Sequence, residues 1–156
     1  MKKVAVISIL SLMFLSFIPK SKVDWLSFEK LEVALNEEPK KVIVHFYADW
    51  CVFCKKMEEA VYTKPEIVDA INNEYYAVKF NVETKDTIRF GGQSFVNLNI
   101  GKKRTAFHQI PELLAGRKDQ QLELPATVIL DKDFNIEQRI YRYIPPKEML
   151  SILTEE

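Results

Sequence analysis

The chain has 156 residues, 47% apolar and 28% charged, with four glycines, two cysteines and a formal net charge of zero. This is the composition of one ordinary globular domain. It excludes fibrous, low-complexity and disulfide-rich scaffolds and leaves no basic footprint for nucleic acid.

Residues 1–20 read as an export leader. Lys2 and Lys3 precede an uncharged apolar run from Val4 to Ile18, closed by Pro19. The run is shorter than the roughly 20 residues a spanning helix needs, so a signal peptide is expected, or else an uncleaved N-terminal anchor. Removing it leaves 19 basic and 22 acidic residues, a net charge of −3. Residues 21–156 then form a single domain, expected to be monomeric and periplasmic or otherwise exported.

Asp24 to Glu38 reads as an amphipathic helix, with Trp25, Phe28, Leu31 and Leu35 on one face, Asp24 as cap and Pro39 as stop. Lys41 to Ala48 is a nearly unbroken apolar run, the pattern of a strand covered on both faces. Cys51 to Tyr62 is expected to be helical, with Cys54, Met57 and Val61 as its inner stripe, and Pro65 opens a shorter helix to Asn72. Tyr75 to Val82 is a second strand. Residues 83–124 are irregular, with turns at Gly91, Gly92 and Gly101 and a helix from Thr105 to Ala115 that Pro111 should kink or interrupt. Ala126 to Leu130 and Ile136 to Tyr143 pair as a hairpin across the turn Asp131–Asn135, and Pro146 opens a final helix. The order describes an α/β domain in three layers around a mixed sheet.

The strongest chemical signal is Trp50-Cys51-Val52-Phe53-Cys54, where a strand hands over to a helix. A thiolate at a helix N-terminus is stabilised by free backbone N–H groups and the helix dipole. The second cysteine lies one turn later, within reach of a disulfide. The loop is too short for a bridge there to add much chain-entropy stabilisation. Three readings stand: a redox pair, a structural disulfide, and half of a zinc site. The last would need two more ligands, for which only His45 and His108 remain beside the cysteines, at spacing that does not suit it.

The stretch from His45 to Glu58 (HFYADWCVFCKKME) resembles the active site of thioredoxin-fold thiol:disulfide oxidoreductases, in particular the C-terminal periplasmic domain of DsbD. The resemblance continues through Lys64–Val68 and Lys79–Val82, and resumes at Leu124–Asp131. It implies a thioredoxin fold, Cys51 as nucleophile, Cys54 as resolving thiol, Trp50 as cover for the disulfide, and a cis Pro125 facing Cys51. It implies protein thiols and disulfides as partners, a membrane electron donor, and no bound cofactor. One departure follows. His45 stands where the family has a buried acid that assists the second cysteine. Glu58, one turn beyond Cys54, and Lys79, on the neighbouring strand, match polar residues of the same site; His45 or Glu58 could therefore handle the proton. Val52 and Phe53 offer the Cys51 sulfur neither charge nor donor, so the reducing end of the scale is expected. The expected function is an exported reductase of protein disulfides. An oxidase or isomerase on the same fold, and a binding module stapled by the cysteine pair, are the alternatives.

Overall fold

The computed structural model describes residues 20–155, so the leader expected at 1–20 lies almost wholly outside the described residues. Seven strands and five helices follow in chain order: β1 (Trp25–Leu26), α1 (Phe28–Glu37), β2 (Lys41–Tyr47), α2 (Val52–Ala60), α3 (Pro65–Glu74), β3 (Tyr75–Asn81), β4 (Ile88–Phe90), β5 (Gln93–Phe95), α4 (Gln109–Ala115), β6 (Ala126–Leu130), β7 (Ile136–Ile140) and α5 (Pro146–Thr154).

The central sheet has the order β1-β3-β2-β6-β7. Strands β1, β3 and β2 run parallel, whereas β6 and β7 are antiparallel to their neighbours. β2 is central, and its five inner residues from Val42 to Phe46 are all buried. Phe28 and Leu31 of α1 pack with Val42, Val44, Phe46, Val78, Phe80 and Val128 on one face. On the other, Met57 of α2, Ile67, Val68 and Ile71 of α3, and Met149 and Leu153 of α5 pack with Ile43, Ala77 and Ile129. The mixed sheet between helical layers is the expected thioredoxin-like architecture.

Several boundaries differ from the sequence reading. Trp25 and Leu26 are not helical but pair with Ala77 and Val78. The helix therefore starts later, and its cap is Ser27, whose Oγ accepts from the Lys30 N–H at 3.3 Å, rather than Asp24. Asp24 instead accepts from Lys20, and its own N–H donates to Asn72 Oδ1. Ser27→Ala should cost about 1 kcal/mol in a denaturant titration, whereas Asp24→Ala should leave helix capping untouched. α4 begins at Gln109, not Thr105. His108 is its N-cap, and Nδ1 of the ring accepts from the Ile110 N–H. Pro111 consequently occupies the first turn, where its missing N–H breaks no helical bond, and it does not interrupt the helix. The fourth strand of the sequence reading ends at Ile140 rather than Tyr143.

The segment after β3 holds a hairpin that the sequence reading left irregular. Gly91 and Gly92 both have positive φ, 60° and 71°, and join β4 to β5 as a two-residue turn. Glycine is the residue that adopts two such angles in succession without strain. The carboxylates of Glu29 and Glu32 on α1 accept from Arg89 N and Gly91 N and fasten the hairpin to the helix.

Candidate active site

The site forms at the carboxyl end of β2. Ala48 leaves the strand, and its carbonyl accepts from the Cys51 N–H at 3.0 Å, turning the chain into α2. Cys51 is the N-cap of α2, and its Sγ accepts from the Cys54 N–H at 3.2 Å. The two cysteines are joined as a disulfide. Cys51 is 5% exposed and Cys54 fully buried, so an incoming group can reach only the first sulfur.

An apolar collar surrounds that sulfur. Trp50, Val52 and Phe53 are 58%, 73% and 57% exposed. Trp50 is held from behind by Glu83, whose carboxylate accepts from the indole N–H at 3.0 Å. The Phe53 ring lies 6.4 Å from that of Tyr143, over which Lys56 also sits. Trp50 is thus exposed and not part of the core. Glu83 and Tyr143 were not singled out in the sequence, because they reach the site from other elements.

Pro125 immediately precedes β6. In the antiparallel register Ala126 lies opposite Phe46, which places Pro125 at the same end of the sheet as Cys51. The Leu124–Pro125 peptide is cis, as the family resemblance implied.

A polar row crosses the sheet near the carboxyl end of β2. His45 of β2 is in register with Lys79 of β3 on one side and Thr127 of β6 on the other. Lys79 donates to Glu58 of α2 at 2.9 Å, and both are partly exposed. His45 is fully buried, 5.1 Å from the ring of Tyr62 and stacked at 6.3 Å on Tyr47. Burial, with the adjacent Lys79 cation, lowers its pKa from the ordinary 6.5 to about 3. The ring is neutral at neutral pH. Burial likewise pushes the Tyr62 phenol up, Glu58 adds to this, and the nearby Thr127 hydroxyl opposes it.

This neutral ring has a measurable consequence. Below pH 6.5 the unfolded chain binds a proton on His45, and the folded protein does not until about pH 3. Stability therefore falls as pH drops through 6.5 and stops falling on this account near 3. At pH 5 the loss relative to pH 8 should be about 2 kcal/mol. Buried His108, its pKa also lowered chiefly by burial, acts in the same direction. The difference between wild type and His45→Asn in denaturant titrations at the two pH values isolates the His45 share. Equal pH dependence in the two proteins would show that the ring is solvated.

Comparisons with known proteins agree with this construction. A family model described as a thioredoxin-like domain matches residues 28–155. A 46-residue stretch is 44% identical to the thiol:disulfide interchange protein DsbD of Pseudoalteromonas atlantica, and 47 residues are 40% identical to that of Neisseria meningitidis. Each match covers 30% of this chain and only 8% of the relative's length. Among solved structures, a thioredoxin from Thermus thermophilus superposes with a TM-score of 0.57 at 17% identity, over 85% of both chains. The reduced C-terminal domain of Neisseria meningitidis DsbD gives 0.51 at 17% identity, over 80% of this chain and 89% of that one. These superpositions bear on the fold alone.

Proposed function

This chain belongs to the thioredoxin-like domain family, and from that premise we propose that it is a reductase of exported protein disulfides that works through Cys51 and Cys54. The observation that carries the reading is Cys51 at the N-cap of α2, bonded to a fully buried Cys54 beneath an exposed apolar collar. Free N–H groups at the helix start stabilise a Cys51 thiolate. That thiolate attacks one sulfur of a partner disulfide, forming a mixed disulfide and releasing the partner's other sulfur as thiolate. Cys54 then loses its proton and attacks Cys51 Sγ. The Cys51–Cys54 bond forms, the mixed disulfide breaks, and the partner leaves with both sulfurs reduced. Two electrons pass to the partner, and a dithiol donor must return them. The DsbD resemblance supports a periplasmic setting with a membrane protein as donor. Among the described residues, no helix is long and apolar enough to cross a membrane itself.

Charge decides who takes the Cys54 proton. On His45 it would create a second cation beside Lys79 in a fully buried site. On Glu58 the proton creates no new charge: the negative charge passes from carboxylate to sulfur, and the carboxylate is partly exposed to solvent. Glu58 is therefore the acceptor in this account.

The function is tested by mixing the reduced protein with insulin. Reduction of the insulin disulfides, lost in Cys51→Ser, is expected. Failure to reduce insulin, together with oxidation of reduced ribonuclease by the disulfide form, would make it an oxidase. Partner binding retained in Cys51→Ser with no exchange in wild type would make it a binding module.

A further inference from the structure

Four polar atoms lie buried together near the carboxyl end of β2. They are Nδ1 and Nε2 of His45, the Tyr62 hydroxyl and the Thr127 hydroxyl, and none has a hydrogen-bond partner among the described residues. They are neighbours by construction. Thr127 is the register partner of His45 on β6, and the Tyr62 ring meets the imidazole edge-on at 5.1 Å. Buried polar groups left unpaired are strongly disfavoured, and such groups are nearly always paired directly or through an ordered water. The inventory here suits such pairing. A neutral imidazole has one donor and one acceptor, and each hydroxyl can donate and accept. One internal water touching two to four of these atoms would satisfy the set.

Lys79, His45 and Thr127 form a row across the sheet. Glu58 of α2 meets it by accepting from Lys79, and Tyr62, beyond the C-cap of α2, meets it at His45.

We propose that His45, Tyr62 and Thr127 form one hydrogen-bonded network around an internal water, in which Tyr62 and Thr127 are positioning residues that fix His45 in a single neutral tautomer. The groups that face His45 are Lys79 from β3, Thr127 from β6, Tyr47 on its own strand and Tyr62 from beyond α2.

Nitrogen NMR of His45 in the oxidised protein tests the network without any turnover. One neutral tautomer is expected, unchanged between pH 5 and 9 in wild type and in Thr127→Ser, which keeps the hydroxyl. Tyr62→Phe and Thr127→Val, both close in shape to the native residue, should shift it to the other tautomer or a mixture. The same tautomer signature in all four proteins would overturn the network.

Discussion

In a Cys54→Ser variant, the mixed disulfide between Cys51 and a protein partner should accumulate as a stable covalent adduct, with essentially all turnover lost. The two sulfurs occupy different environments. Cys51 caps α2, is 5% exposed, and its sulfur accepts from the Cys54 N–H. Cys54 is fully buried one turn later. A thiolate forms at the first position at neutral pH and attacks; the second has no access to a partner and can act only on the sulfur beside it. Removing Cys54 leaves attack intact and deletes resolution, whereas Cys51→Ser deletes attack. Mass spectrometry of the variants after incubation with an oxidised protein substrate reads the adduct directly. Alkylation of the reduced wild type should likewise modify Cys51 much faster than Cys54. Adducts on Cys51→Ser but not on Cys54→Ser would reverse the assignment.

The second large effect concerns the proton. Glu58→Gln should lengthen the life of the mixed disulfide by about 100-fold or more, the low end of what a positioned base contributes. His45→Asn should cost far less. The amide retains a donor and an acceptor at the same place on β2, and the account requires no charge there. If the imidazole were the acceptor, the order would be inverted, with His45→Asn slow and Glu58→Gln near normal. Equal, normal lifetimes in both would leave solvent water as the acceptor. Stopped-flow single turnovers with a trapped partner separate these results from any change in the first attack.

Much of this site was legible in the sequence because it is local. Lys41 to Tyr47 reads as a strand covered on both faces, and it is the central strand. The cysteine spacing alone puts one sulfur at the start of α2 and the other on its inner face. What stayed hidden depends on partners far along the chain. Trp25 and Leu26 fit a helical stripe until Ala77 and Val78 offer them a parallel edge. Three-residue strands around Gly91–Gly92 are too short to show alternation, and α1 holds them in place. Tyr62 was read only as the end of a helix, since nothing local says that it will meet His45 from beyond the C-cap. Thr127 looked like an ordinary β-branched strand residue. Its importance comes from register, which only the pairing of β2 with β6 sets.

The direction of electron flow is the centre of the account, and an equilibrium redox titration of the Cys51–Cys54 pair tests it most directly. Val52 and Phe53 are exposed and apolar, and the Cys51 sulfur accepts from the backbone N–H of Cys54. Neither residue between the cysteines supplies the additional thiolate stabilisation that makes a disulfide strongly oxidising. The potential should lie nearer thioredoxin's, about −270 mV, than that of DsbA, about −120 mV. A value above about −180 mV, the level of protein disulfide isomerase, would contradict a reductase and place the protein among the oxidants or isomerases.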